Sequence, residues 1–187
     1  MTKPEYVLGV DPGLYGGLAL LGSAGLVWAC NTPLLNPSRA RKHDVVLTDH
    51  KGDVVAVHKG RKGEKARIDE ASLVRDVTDH GRWWSTVAAI EKVGGIHGQS
   101  ATASFSFGRS AGVIIGAALA AGLEVVEIPP AEWKFALKLA GKDKEASRAL
   151  ATEIFGESAA KAFWPRVKDD GVAEAALIAY YTRELRK

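Results

Sequence analysis

One stretch near the start of the chain decides the fold: Tyr6-Val7-Leu8-Gly9-Val10-Asp11-Pro12-Gly13-Leu14-Tyr15-Gly16-Gly17-Leu18-Ala19-Leu20-Leu21. It predicts a strand, a tight turn and a second strand. The run from Tyr6 to Val10 is continuously apolar, which is typical of a strand buried on both faces. Pro12-Gly13 is a turn dipeptide, and Gly16-Gly17 allows backbone or ligand to come close. Asp11 ends the first strand, so it either caps a solvated turn or holds a metal ion or a phosphate-bearing substrate.

The composition predicts a single domain over residues 1–187, with 47% apolar residues to build its core and 25% charged residues. Cys30 is the only cysteine, so a disulfide within the chain is excluded and a reducing, cytoplasmic location is expected. The net charge of +3 permits nucleic-acid binding without arguing for it. The most apolar segment, Ala111 to Leu123, is too short to span a bilayer and predicts a buried helix, so no membrane partner is expected.

Outward from the first hairpin, Leu26 to Asn31 predicts a third strand, and tight turns make the three strands an antiparallel meander. Thr86 to Glu91 and Leu123 to Ile128 predict two more strands. A long helix from about Ser100 to Ala121 separates them, which is the layout of a parallel crossover. Further helices are predicted from Asp69, over Ala131 to Leu139, over Asp143 to Phe155 and over about Asp170 to Leu185.

The segment 36–67 interrupts this pattern and is rich in lysine and arginine. Within it, about Asp44 to His58 predicts an added basic hairpin that extends one edge of the sheet. The following segment, Lys59 to Lys65, is either a solvated basic loop or a phosphate contact.

Four acidic residues occupy positions that suit a metal-binding or catalytic role. Asp11 and Glu91 each end an apolar strand, and Asp170 and Glu174 lie four residues apart on the last helix. Like charges at that spacing repel unless a cation lies between them. Hard oxygen ligands suit Mg²⁺ or Mn²⁺, and two such ions activate water against a phosphodiester. The alternative is a set of scattered surface acids.

Over nearly its whole length the sequence resembles the RuvC-type Holliday junction resolvases of the RNase H-like superfamily, especially their short phage and bacterial forms. The resemblance rests on the order of Val7-Leu8-Gly9-Val10-Asp11-Pro12-Gly13, Ala89-Ile90-Glu91-Lys92, the residues Pro129, Ala131, Trp133 and Lys134, Gly141-Lys142-Asp143-Lys144, and Asp169-Asp170-Gly171-Val172-Ala173-Glu174-Ala175. It implies an α/β fold with a mixed five-stranded sheet and helices on both faces.

The resemblance also implies site residues. Its acidic metal ligands fall on Asp11, Glu91, Asp170 and Glu174. The family often has aspartate at position 174 and spaces its last pair by three residues, which here falls on Gly171. Either Asp169 or Asp170 therefore supplies the third ligand; Asp170 shares a helix face with Glu174 and is preferred.

The same resemblance gives Lys134 and Lys144 a role in holding DNA phosphates. Lys92, directly after the second acid, is a further predicted DNA contact. The loop Gly94 to Gln99 would touch the branch point, through Ile96 or His97.

Gly108, Gly112 and Gly116 form a stripe along the long helix, either for packing on the protein's own sheet or, as the resemblance implies, for a homodimer. Arg109 beside the stripe is expected to bind phosphate or to pair with an acid.

We therefore expect a Mg²⁺-dependent crossover junction endodeoxyribonuclease that cuts branched DNA. The alternatives are a broader RNase H-like nuclease on flaps or RNA–DNA hybrids, and a noncatalytic junction-binding protein. A sugar-kinase or actin-like ATPase is disfavoured, because that fold needs two such lobes.

Overall fold

The computed structural model describes residues 3–35, 45–48, 54–58, 66–81, 86–94, 98 and 100–186. Within them the strands are β1 (Tyr6–Asp11), β2 (Gly17–Gly22), β3 (Gly25–Asn31), β4 (Leu34–Leu35), β5 (Val45–Thr48), β6 (Val54–His58), β7 (Arg67–Ile68), β8 (Thr86–Glu91) and β9 (Glu124–Ile128). The helices are α1 (Glu70–Gly81), α2 (Ala101–Ala120), α3 (Pro130–Ala136), α4 (Lys144–Phe155), α5 (Glu157–Phe163) and α6 (Asp170–Tyr180). A 3₁₀ turn, Val167–Asp169, leads into α6, and a π-helical turn, Tyr181–Leu185, follows it.

Five strands form one mixed sheet in the order β3-β2-β1-β8-β9. The first three strands pair antiparallel, whereas β8 runs parallel to both β1 and β9. The predicted meander and crossover are therefore confirmed. Because β1 and β8 are parallel neighbours, their carboxyl ends lie at the same edge of the sheet.

The core has two layers, one on each face of the sheet. Val7 packs with α6, Trp133 and Trp164 on one face, while Leu8 and Val10 pack with apolar side chains of α1 and α2 on the other. The alternation follows from the period of two along a strand. It confirms that the continuous apolar run of β1 is buried on both sides, and that helices cover both faces.

Helix α6 lies unusually close to the sheet. A Cβ atom on Gly9 would stand 2.1 Å from the backbone oxygen of Ala175, and one on Gly171 would stand 2.2 Å from the oxygen of Tyr15. Gly16 forms an isolated bridge with Gly171. Of the two uses predicted for Gly16-Gly17, close approach of backbone is the one observed, and it fixes the start of α6 over the β1–β2 turn.

Helix α2 is buried along one face only, through residues that include Ser110, Ala111, Ile114 and Ala118. Among the described residues it is the one helix long and apolar enough to cross a membrane, by length and composition alone. The prediction of a buried helix is thus right only for the face of α2 that packs on the core.

One local prediction needs correction, and three short elements were not predicted. The hairpin of β5 and β6 exists, but it forms a separate two-stranded sheet and does not extend the edge of the main one. The short pair β4 and β7 and the helix α5 were not predicted. Most of the basic segment 36–67 lies outside the described residues.

Candidate active site

Two strands bring the first pair of carboxylates together. Asp11 ends β1 and Glu91 ends β8, and their side chains lie close enough that each acts on the pKa of the other. Burial, and then the charges of Glu91 and Glu174, raise the pKa of Asp11 well above its usual value. Burial is also the main reason that the pKa of Glu91 is raised.

Helix α6 supplies the second pair. Asp170 and Glu174 are 7% and 5% exposed and lie one helical turn apart. The hydroxyl group of Ser147, on α4, donates a 3.0 Å hydrogen bond to Oε1 of Glu174. Since the charge of Glu174 acts on both Asp11 and Glu91, the acids of the sheet edge and of α6 belong to one cluster.

Two lysines enter this cluster from different elements. Nζ of Lys134, on α3, lies 3.4 Å from Oε1 of Glu174 and 4.9 Å from the ring centroid of Trp133. Lys144, the first residue of α4, forms an ion pair with Asp170. Its hydrogen bond with Asp170 raises the pKa of Lys144.

Asp169 points away from the cluster. It is 1% exposed and accepts hydrogen bonds from the guanidinium and backbone N–H of Arg166 and, at 3.2 Å, from Nδ2 of Asn31. Burial by itself would raise the pKa of Asp169, but these hydrogen bonds outweigh it and lower the pKa below its usual value. Asp169 thus stabilises the turn that leads into α6. Asp170 is the acid that lies with Glu174 in the carboxylate cluster.

The donor set suits a hard divalent cation, since it consists of carboxylate oxygens from β1, β8 and α6. As the side chains stand, however, no group of three or more His, Cys, Asp or Glu side chains in the described part of the chain is arranged to hold one ion. Two lysine ammonium groups contact the carboxylates instead. The raised pKa of Asp11 shows that the cluster still favours added positive charge.

Ser147 was missed by the sequence reasoning, and Trp133 was quoted only as a motif residue with no role in the site. Trp133 is fully buried, and its indole N–H has no hydrogen-bond partner within ordinary geometric limits, yet it lies close enough to Glu91 to act against the effect of burial on the pKa of that acid. A lone helical serine such as Ser147 carries no sequence signal of its own.

The other predicted DNA contacts fall in different places. Lys92 is exposed directly after Glu91. Arg109 forms a salt bridge with Glu70 of α1, with 2.7 Å between Nε and Oε1, so the expected pairing with an acid is the one observed. Ile96 and His97 lie outside the described residues.

Comparison with known proteins supports the fold. Two structures of Thermus thermophilus RuvC match this chain, one of them in complex with a Holliday junction substrate. Each is 19% identical in sequence and covers 95% of both chains, with TM-scores of 0.54 for the complex and 0.50 for the other structure. No protein-family model and no curated protein sequence matches the chain.

The fold class is therefore α/β and RNase H-like. Within that class, the chain has a RuvC-like fold, as the resemblance in its motifs implied.

Proposed function

We propose that this chain is a metal-dependent, structure-selective endonuclease that resolves Holliday junctions or other branched DNA by hydrolysing phosphodiester bonds. Asp11, Glu91, Asp170 and Glu174 would hold Mg²⁺, or Mn²⁺ in its place. The metal would supply an activated water and neutralise charge on the leaving oxygen.

One observation carries this proposal: four carboxylates from three elements converge at the sheet edge, and the pKa values of Asp11 and Glu91 are raised there. Burying acids against each other costs folding free energy, so an arrangement of this kind is typical of a functional site. Hydration by water alone would leave this free-energy cost in place, whereas a bound divalent cation would offset it.

The chain's own residues have distinct tasks in this proposal. Ser147 fixes the side chain of Glu174 through its hydrogen bond. Lys134 and Lys144 lie at the rim, with side chains 33% and 67% exposed, and can donate to phosphate oxygens of the strand to be cut. Lys92 extends this positive rim beyond Glu91.

Branched DNA is the proposed substrate because the chain shares a fold over 95% of its length with a RuvC structure that holds a Holliday junction substrate. A fold alone does not fix a substrate. The test is therefore a panel of matched four-way, flap, RNA–DNA hybrid and linear duplex substrates, incubated with the protein and Mg²⁺. Paired symmetric nicks in the four-way substrate are expected. Equal cutting of flaps or hybrids would favour the broader nuclease, and binding without any cutting would favour a noncatalytic junction-binding protein.

A homodimer is part of the proposal. Gly108, Gly112 and Gly116 are exposed, and a Cβ atom on any of them would meet nothing within 4 Å. The stripe therefore does not pack on the protein's own sheet. Phe105 and Leu119 beside it are 73% and 59% exposed, so α2 presents an apolar face that a second copy would cover.

Gly112→Leu tests this dimer. The larger side chain meets nothing within the monomer, so the fold should be kept while close approach of two α2 helices is blocked. Sedimentation should show a dimer for the wild type and a monomer for Gly112→Leu. Ala103→Leu, on the opposite side of α2, is the matched control and should remain dimeric; a dimeric Gly112→Leu would contradict the proposed interface.

A further inference from the structure

The carboxylate cluster contains its own cations. Lys134 reaches Glu174, and Lys144 reaches Asp170, so each acid of α6 is paired with a lysine from another helix. The charge of Lys144 also acts on Asp11 and Glu174. Its ammonium group therefore lies near three of the four acids at once.

The two partners of the Lys144–Asp170 pair differ in freedom. The side chain of Asp170 is 10% exposed and sits at the start of a helix packed against the sheet, whereas that of Lys144 is 67% exposed. Lys144 can turn into solvent by rotating a flexible four-carbon stem, and Asp170 cannot follow it. When the pair opens, Lys144 is the member that moves.

The pair is also weak enough to exchange. An ion pair with one strongly exposed member contributes about 1 kcal/mol or less. A divalent cation carries twice the charge of an ammonium group and accepts several oxygen ligands at once. It would outcompete a single lysine for acids that still favour added positive charge.

We propose that Lys144 is an internal counterion that occupies Asp170 in the metal-free protein and is displaced when a divalent cation binds. The inference deepens the proposed function and rests on it: the displaced ammonium group becomes free to hold a DNA phosphate. Lys144 then has two partners in turn, Asp170 without metal and the substrate backbone with it. Metal and DNA would bind cooperatively, because each favours the released lysine.

The experiment measures metal binding without DNA and without catalysis. Mn²⁺ is titrated into the full chain, and free Mn²⁺ is followed by electron paramagnetic resonance, for the wild type, Lys144→Gln and Lys142→Gln. Lys142 is exposed and two residues away, so it is the matched control for a change of net charge. Removing the competing lysine should tighten Mn²⁺ binding about fivefold, whereas Lys142→Gln should leave it nearly unchanged.

A second measurement checks the same exchange through stability. In EDTA, Lys144→Gln should unfold at a lower temperature than the wild type, because Asp170 loses its counterion. In Mg²⁺ the difference should disappear or reverse, since the cation replaces the lysine.

The inference is overturned if Lys144→Gln binds Mn²⁺ with unchanged or lower affinity, or if both lysine variants tighten binding equally. If the expected tightening is found but the wild type cuts no DNA with Mg²⁺, the inference stands and the proposed function fails. If the wild type binds no Mn²⁺, both fail.

Discussion

Two sets of acids, Asp169 by itself and the pair of Asp11 and Glu91, have opposite surroundings. Asp169 is enclosed by donors: the Arg166 guanidinium, a backbone N–H and Asn31. Asp11 and Glu91, at the ends of β1 and β8, instead lie beside other acids. The pKa is lowered in the first set and raised in the second.

The difference separates a structural acid from a candidate ligand. An acid whose lone pairs are filled by fixed donors has no capacity left for a metal ion or substrate. Acids that are buried beside one another and repel each other retain that capacity, at a cost in stability that the rest of the fold must offset. Asp169 and Asp170, adjacent in sequence, have different partners: Asp169 is hydrogen-bonded to Arg166 and Asn31, whereas Asp170 forms an ion pair with Lys144.

The largest expected effect on cleavage comes from replacing each of these two aspartates in turn. Asp170→Asn should reduce Mg²⁺-dependent cleavage of a four-way junction about a thousandfold, because a metal ligand is lost. Asp169→Asn should keep cleavage within a few fold once the folded fraction is matched. Single-turnover rates on the same substrate measure both. The opposite ranking would assign the ligand to Asp169 and break the comparison.

For stability we expect the reverse order, with the larger loss at position 169. Asp169→Ala removes hydrogen bonds to a buried charged group and should lower the free energy of unfolding by about 2 kcal/mol. Asp143→Ala, which removes the side chain that caps α4 at 3.0 Å from the Ala146 nitrogen, should cost about 1 kcal/mol and serves as a reference. Urea denaturation measures both; equal stability of Asp169→Ala and the wild type would contradict the structural role.

Ser147→Ala probes a hydroxyl donor that fixes an acid of the cluster. Freed from this hydrogen bond, Glu174 should be oriented less well, and cleavage should fall about tenfold. Thr152→Ala on the same helix, whose hydroxyl group donates to the backbone of Arg148 and accepts from Trp164, is the control that changes α4 without touching Glu174. Cleavage equal to the wild type for Ser147→Ala would remove Ser147 from the site.

The smallest expected effect is a difference in pH dependence. The lowered pKa of Asp169 means that its contribution to stability is present above its unfolded pKa of about 3.9 and is lost as the pH falls through the folded value. The raised pKa of Asp11 has the opposite sign: its ionised form costs stability as the pH rises above the unfolded value, and acid relieves that cost. In EDTA at neutral pH, Asp11→Asn should therefore be more stable than the wild type.

Unfolding measured from pH 7 down to pH 4 should show this gain shrinking as the acid protonates. The deficit of Asp169→Ala should persist over most of that range and shrink only near and below pH 4. A loss of stability in Asp11→Asn at neutral pH would contradict the repulsion that we attribute to the cluster.

Much of this arrangement follows from the sequence. Apolar runs that end in a carboxylate predicted β1 and β8, with Asp11 and Glu91 at the ends of these two strands. The parallel pairing of β1 with β8, which brings those two ends to one edge of the sheet, was not predicted. The spacing of Asp170 and Glu174 predicted a shared helix face. The preference for Asp170 over Asp169 was made on that ground.

The remainder depends on contacts between distant positions. Asn31 and Asp169 are 138 residues apart, and no local pattern predicts their hydrogen bond. Helix α2 has the composition of a buried helix, so the exposure of its glycine stripe could not be predicted from hydropathy. The strand pair β4 and β7 has two residues on each side, too few to show a period.

The central claim is that the carboxylate cluster cuts branched DNA, and Asp11→Asn tests it most directly. Binding of a four-way junction is measured by fluorescence anisotropy in EDTA, and cleavage is then followed after addition of Mg²⁺, for the wild type and Asp11→Asn in parallel. We predict that both bind the junction and that only the wild type cuts it. Full cleavage by Asp11→Asn would contradict the account.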